Sequence, residues 1–151
     1  MLAPELTLAE RVDRLEAIEE IRALKAKYCR CVDTKDWEGF ATLFTEDLVI
    51  DFGESTSHPQ TKDEFVASAA RHFDKNLSVH QVHNGEVEFI DATHARAIWP
   101  MYDLVEKTSD DSEYASHTGW GHYTEEYRKQ DGRWLCSRTQ LTRIKRVVLE
   151  S

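Results

Sequence analysis

The sequence predicts an α+β fold in which three N-terminal helices pack on a strongly curved, mostly antiparallel sheet around a cone-shaped cavity. Helical spacing of apolar residues dominates the first half, and the chain after Leu77 alternates like β-strands. No Rossmann or P-loop glycine pattern is present. Helices followed by a meander of long strands are typical of α+β domains. A chain of 151 residues is expected to form one domain, residues 1–151.

The first helix is predicted from one long apolar stripe. Thr7 is the expected N-cap, with Glu10 at the capping-box position, and the sequence leaves open a bend near Ile18. The early part of this helix looks like an arm that packs on a partner. The stripe, at steps of three and four, is formed by Leu8, Val12, Leu15, Ile18, Ile21, Leu24, Tyr28 and Val32.

Shorter elements are expected next. Apolar spacing and capping residues predict a second helix from Asp36 to Phe44 and a third from Thr61 to Phe73. Between them, Leu48 to Phe52 is expected to form a short strand and Gly53 to Gln60 a polar loop. Together with the first helix, these elements would cover the sheet.

The second half predicts long strands separated by turn residues. Pro100 cannot donate to a strand ladder, so it should mark a bulge or an edge. Outward-facing Trp120, Tyr123 and Tyr127 would favour a homo-oligomer. The four strands are expected at Val79–Ile90, His94–Glu106, Ser116–Arg128 and Arg133–Leu149.

Composition excludes several classes of protein. The net charge of −9 argues against nucleic acid as a partner, because a phosphate backbone attracts a basic face. No stretch approaches the ~20 apolar residues of a membrane span, and the first fifteen residues lack the apolar core of a signal peptide. Cys29, Cys31 and Cys136 have no C-x-x-C spacing. We therefore expect reduced thiols in a cytoplasmic protein, with no disulfide framework or zinc site.

Two motifs carry a family resemblance. Ala-Lys-Tyr-x-Arg-Cys-Val-Asp-x-Lys-x-Trp spans Ala26 to Trp37, and Tyr-Thr-Glu-Glu-Tyr-x-Lys-x-Asp-Gly-x-Trp spans Tyr123 to Trp134. With the order of elements, they make the chain resemble the SnoaL-like branch of the nuclear transport factor two-like superfamily. Within it, the chain is most similar to bile-acid 7α-dehydratases, and more distantly to scytalone dehydratase and hexachlorocyclohexane dehydrochlorinases. The resemblance covers about Ile18 to Val147.

The resemblance implies a set of site residues. It makes His80 the general base and Asp33 the carboxylate that orients it. Tyr28 matches an active-site tyrosine, Asp103 a second acidic residue, and Arg143 a basic site position.

The chain also departs from these relatives. Phe52 stands at a substrate-facing position where the dehydratases have another tyrosine, and the Lys107 to Tyr114 loop does not align. The dehydrochlorinases have a lysine and an arginine where this chain has Tyr28 and Thr139. These departures argue against a dehalogenase and leave the substrate open.

Elementary chemistry agrees with such a site. A free histidine has a pKa near 6.5, and a carboxylate on its second nitrogen fixes the tautomer needed for proton abstraction. Tyr28 could donate to a developing enolate, and Asp103 could assist the leaving group. The residues alone allow simpler roles: Asp33 as a helix end, His80 as an ordinary strand histidine, Tyr28 as core and Asp103 as a solvated strand end.

The functional expectation is a cofactor-independent lyase, a dehydratase acting on a hydrophobic, steroid-like oxo compound. No metal is expected, because His-Glu-x-x-His and similar ligand patterns are missing from the sequence. Two alternatives stay open. One is a non-catalytic ligand-binding or dioxygenase small-subunit-like module, and the other is an isomerase or polyketide cyclase. The resemblance implies a homodimer or homotrimer.

Overall fold

A computed structural model describes residues 4–53, 61–112 and 114–149. The predicted Gly53–Gln60 loop lies outside these ranges apart from its first residue. The helices are α1 (Leu8–Thr34), α2 (Trp37–Ala41) and α3 (Lys62–Phe73). The strands are β1 (Phe44–Phe52), β2 (Asn76–Val82), β3 (Glu86–Phe89), β4 (His94–Lys107), β5 (His117–Gln130) and β6 (Arg133–Val148). The predicted α+β class is confirmed.

One mixed sheet forms the floor of the molecule. Its strand order is β1-β6-β5-β4-β2, and β3 also pairs with β4. The pair β1–β6 is parallel and the other pairs are antiparallel. The three helices pack on one face of this curved sheet, and the buried aromatic core lies between the two layers.

The first helix positions one end of the site. Its capping box is confirmed, with Thr7 Oγ1 accepting from the N–H of Glu10. The helix is continuous past Ile18 and ends where Lys35 adopts a left-handed conformation at φ 62°. Its exposed apolar residues cluster in the first turns, and its buried residues begin at Ala17. The exposed residues are Leu8, Val12 and Leu15.

The strand predicted from Val79 to Ile90 is wrong as a single element, because β2 ends at Val82 and β3 begins at Glu86. Pro100 lies in β4 where the neighbouring strand changes from β2 to β3, and its carbonyl accepts from the N–H of His83 at 3.0 Å. The nitrogen of Pro100, which has no hydrogen to donate, therefore faces the gap between β2 and β3, so no ladder hydrogen bond is lost.

The second helix is shorter than predicted, because it ends at Ala41 and β1 already begins at Phe44. Phe44 pairs with Cys136 at the start of the parallel ladder, and it is only 2% exposed. The spacing of apolar residues alone could not tell whether the chain at Phe44 is helix or strand, because a short apolar run is buried equally well in either.

The outward aromatic face on β5 is only partly as predicted. Trp120 is 40% exposed, but Tyr123 and Tyr127 are 2% and 1% exposed. Residues 123 and 127 share one face of the strand and residue 120 lies on the other, because side chains alternate along a strand. Two of the three predicted surface aromatics therefore belong to the core.

None of the helices in the described ranges is long and apolar enough to cross a membrane. Cys29, Cys31 and Cys136 are buried free thiols. Burial raises the pKa of the Cys29 thiol to about 11, which keeps that side chain protonated and poorly nucleophilic.

Candidate active site

A cavity of about 420 Å³ lies between the helices and the concave face of the sheet. This volume is within the roughly 300–1,000 Å³ typical of small-molecule sites. Most of its wall is apolar, with contributions from Val32, Phe40, Ile50, Phe65, Val105 and Leu141. Polar side chains from α1, α3 and strands β2, β4, β5 and β6 also reach this wall.

His80 and Asp33 form a hydrogen-bonded pair at this wall. Nδ1 of His80 lies 2.7 Å from Oδ1 of Asp33, and the backbone N–H of His80 donates to Oδ2 at 2.8 Å. Asp33 is in the last turn of α1, so both of its oxygens reach β2 from the helix end. His80 lines the cavity. Because Asp33 holds Nδ1, the nitrogen left for chemistry is Nε2.

Neighbouring side chains hold this pair in place. Ser78 Oγ lies 3.2 Å from Asp33 Oδ1, and Lys35 Nζ donates to Ser78 Oγ at 3.0 Å. The ring of Phe73 packs edge-on against His80, with centroids 5.1 Å apart. The imidazole is thus fixed by contacts on the carboxylate side and on one ring face.

A second polar pair follows on the next strand. Arg143 donates through Nη1 and Nη2 to the two oxygens of Asp103, at 2.7 and 2.8 Å. Such bidentate, charge-assisted pairs fix the orientation of both the guanidinium and the carboxylate. Arg143 comes from β6 and Asp103 from β4, so the guanidinium crosses β5. It does so at Gly119, where an added Cβ would lie 2.3 Å from Arg143 Nη1.

Two tyrosines present phenol groups to the cavity. Tyr28 and Tyr123 are 5% and 2% exposed, and both line the cavity. Within the described ranges, neither hydroxyl has a hydrogen-bond partner, and neither is among the oxygen atoms sealed from accessible space. Burial raises both pKa values well above the usual range, so each phenol is a neutral donor.

A buried ion pair supports these tyrosines from behind. Lys25 Nζ lies 2.6 Å from Glu125 Oε1, and the two side chains are 0% and 1% exposed. The same ammonium lies 3.7 and 3.5 Å from the ring centroids of Tyr28 and Tyr123. Thr139 Oγ1 also donates to Glu125 Oε1, at 2.9 Å. The pair is therefore fully enclosed, and the two rings it contacts line the cavity.

Two histidines also line the cavity, and His72 is half-buried whereas His117 is 5% exposed. His72 lies against the ring of Tyr114, with centroids 3.8 Å apart, and His117 Nε2 lies 4.0 Å from Asp103 Oδ2. Burial is the main cause that lowers the pKa of His72 to about 4 and that of His117 below its usual value. Among the described residues, no group of three or more His, Cys, Asp and Glu side chains is arranged to hold a metal ion.

The structure brings the six residues expected from sequence to one place. Five of them line the cavity, and Asp33 lies behind His80. Phe52 packs on Phe65, with centroids 5.7 Å apart, and so lines the cavity wall. Asp103 and Arg143 form an ion pair with each other, whereas the sequence analysis gave them separate roles.

Sequence reasoning missed other cavity residues. One is His72 near the end of α3, which is half-buried and lines the cavity. His117 and Tyr123 share the inward face of β5 with Gly119. A glycine inside a strand marks a close approach by another group, so Thr-Gly-Trp-Gly-His was the available signal for this face. Arg146 also lines the cavity, and its sequence signal is the basic run of Arg138, Arg143, Lys145 and Arg146.

The family model described as a SnoaL-like domain matches residues 13–140, most of the chain. The chain belongs to the SnoaL-like domain family. The sequence resemblance to the SnoaL-like branch is therefore confirmed. The matched segment of this SnoaL-like protein includes Asp33, His80 and Asp103, whereas Arg143 and Arg146 lie beyond its end.

Individual relatives agree with this assignment. The SnoaL-like chain is 27% identical over 141 residues to the protein named "Probable cyclase FGR4" of Gibberella zeae, covering 85% of the chain and 92% of that protein. A structure of hexachlorocyclohexane dehydrochlorinase LinA type 2 is 20% identical, with TM-score 0.81 and 93% of each chain covered. LinA type 3 of Novosphingobium barchaimii is 19% identical, with TM-score 0.79, covering 92% of this chain and 94% of that one. These structural likenesses show a shared fold.

Proposed function

We propose that this SnoaL-like protein is a cofactor-independent lyase, a dehydratase that acts on a hydrophobic, steroid-like oxo compound. The observation that carries the proposal is the 2.7 Å contact between His80 Nδ1 and Asp33 Oδ1 at the wall of an apolar cavity. A histidine held in this way presents Nε2 as a base of fixed orientation. A purely structural or ligand-carrying module does not require such a pair.

The residues can carry an elimination step by step. Nε2 of His80 takes a proton from the carbon next to the carbonyl, and the bonding electrons move to the carbonyl oxygen as an enolate. Tyr28 and Tyr123 donate to that oxygen, which stabilises the charge without adding a buried ion. The electrons then return to form a carbon–carbon double bond as the β hydroxyl leaves. The imidazolium of His80 gives its proton to the leaving hydroxide, so the net loss is water.

Asp33 and the second polar pair have distinct roles in this proposal. Asp33 stabilises the imidazolium while His80 holds the proton. Arg143, oriented by Asp103, supplies positive charge beside the base and can stabilise the departing oxygen.

The comparisons support a reaction of this general kind. Dehydrochlorination, named for the LinA structures, is also an elimination. The relative named as a cyclase favours the second candidate, in which the same base removes a proton and no water is expelled. Both reactions begin at Nε2 of His80, and only the product distinguishes them.

The direct test compares His80→Ala with His83→Ala. His83 is exposed and lies outside the cavity wall, so it is a matched control for losing a histidine on the same segment. Each variant is incubated with 3-oxo steroids and related β-hydroxy ketones, and products are identified by mass. We expect His80→Ala to lose at least ~10²-fold in rate while His83→Ala keeps it. Full activity of His80→Ala would overturn the proposal, and a product of unchanged mass would favour the cyclase or isomerase.

Location and assembly are further parts of the proposal. The buried free thiols Cys29, Cys31 and Cys136 support a reducing, cytoplasmic environment.

Exposed apolar side chains on the outer sheet face, including Ile98, Trp120 and Ile144, support a homodimer or homotrimer. Sedimentation analysis of the purified protein measures the oligomeric state directly.

A further inference from the structure

Arg146 on β6 is an unusual member of the cavity wall. It lines the cavity and is also exposed to solvent, so its side chain stands at the rim. Over the parts of the chain that the structure describes, Arg146 has no ion pair and no hydrogen-bond partner. An unopposed guanidinium at the mouth of an apolar cavity stands out in a chain of net charge −9.

The groups around Arg146 leave a positive potential at the rim. His72 and His117 lie close enough for its charge to help lower the pKa of both, after the larger effect of their burial. The acidic group that faces them is Asp103. Both oxygens of that carboxylate are already held by Arg143. No acid is therefore left at the described rim to neutralise Arg146.

We propose that Arg146 at this rim, backed by half-buried His72 and buried His117, binds the anionic end of an amphipathic substrate whose apolar body fills the cavity. A carboxylate suits the site best, because guanidinium and carboxylate match in a planar, two-bond geometry. The apolar wall takes the rest of the molecule. The inference rests on the proposed function, since it names the substrate class for the same cavity: acidic, apolar oxo compounds.

The arrangement also fixes which end of the substrate enters first. Arg146 is exposed, whereas His117, His80, Tyr28 and Tyr123 are all at most 9% exposed. A molecule anchored by its anion at the rim would place its far end near the two phenols and Nε2 of His80. The anion would thus orient the reacting carbonyl as well as add affinity.

The test is a binding measurement that needs no turnover. A panel of apolar fused-ring and aryl compounds, each prepared as a carboxylate and as its carboxamide, is titrated by calorimetry. We expect the unaltered protein to bind the carboxylates roughly tenfold more tightly than the matched amides, as one charge-assisted pair at a partly solvated site allows. Arg146→Gln should remove this preference and leave the amides bound as before.

Lys145→Gln is the matched control. Lys145 is an adjacent exposed cation that lies over Trp120, 5.9 Å from the ring centroid, and it is not part of the cavity wall. It changes the net charge by the same amount as Arg146→Gln, so the carboxylate preference should survive in this variant. Equal losses in both variants, or no carboxylate preference across the panel, would overturn the inference.

The outcome is separable from that of the proposed function. His80→Ala should keep the carboxylate preference, because the base is not part of the rim. Loss of turnover in His80→Ala together with a missing carboxylate preference would sustain the lyase and reject the anion site. Full turnover in His80→Ala, together with a carboxylate preference that is lost only in Arg146→Gln, would reject the lyase and sustain the anion site. Arg146→Gln that instead changes the oligomeric state would show that the guanidinium pairs with a second copy of the chain, which would also reject the anion site.

Discussion

His80 and Asp103 are directly opposite each other on the antiparallel strands β2 and β4. Side chains at opposed positions share a face and lie about 5 Å apart at Cβ. The Asp33–His80 and Asp103–Arg143 pairs therefore form one continuous polar row along the cavity, from the end of α1 to β6. This row places a base and a guanidinium on the same side of any molecule in the cavity.

Asp33→Asn should lower the rate of the proposed elimination by roughly 10²–10⁴-fold. The amide keeps the size of the carboxylate, but its NH₂ group can face Nδ1 of His80 and favour the wrong tautomer. It also cannot stabilise the imidazolium. Steady-state kinetics on an active substrate measures the effect, with Asp63→Asn, an exposed carboxylate in the first turn of α3, as the control. A rate within twofold of the unaltered protein would contradict the orienting role.

Gly119→Ala should separate Arg143 from Asp103. The new Cβ would stand 2.3 Å from Arg143 Nη1, so the guanidinium must move out of its path across β5. We expect a loss of stability of about 1–3 kcal/mol in urea denaturation and a clear fall in turnover. Gly53→Ala, whose added Cβ has no heavy atom of the described residues within 4 Å, is the matched control. Normal turnover in Gly119→Ala would show that the bidentate pair is dispensable.

Lys25→Met should be strongly destabilising, because it leaves the buried carboxylate of Glu125 without its cation. Breaking a buried pair from one side costs about 3–5 kcal/mol, and the double variant Lys25→Met/Glu125→Gln should recover much of this loss. Lys62→Met is the control, since Lys62 pairs with Glu46, whose side chain is 88% exposed. That variant should cost at most about 1 kcal/mol. Equal free energies of unfolding for the two single variants would refute the argument.

The sequence predicted those parts of the site that have a local signal. Asp33 follows a helix stripe, and the residues around His80 have strand character, so both could be placed on their elements before the structure was known. The Asp103–Arg143 pair has no local signal, because it depends on registers across three strands and on the space at Gly119. The Lys25–Glu125 pair is separated by 100 residues. Periodicity places charged residues at the surface by default, and only tertiary packing reveals such a buried pair.

Half-buried His72 predicts how the stability of the fold depends on pH. Burial lowers the pKa of His72 from 6.5 to about 4 in the folded protein, whereas the unfolded chain keeps the ordinary value. Between these two pH values the unfolded state binds more protons, so the stabilising contribution present above pH ~6.5 is lost as the pH falls toward 4. One such group changes the unfolding equilibrium by at most about tenfold per pH unit, and by less here because the rim is partly solvated.

Other titrating groups also contribute to this dependence, and a variant comparison isolates that of His72. The groups that act on it are His117, His80 and Arg146, which favour its neutral form, and Asp103, which opposes them. His72→Gln cannot take up a proton, so its urea-denaturation midpoint should fall less steeply between pH 7 and 4.5. His83→Gln, an exposed position on the β2–β3 connection, should follow the unaltered protein. Superimposable curves for all three proteins would show that His72 titrates alike in the folded and unfolded states.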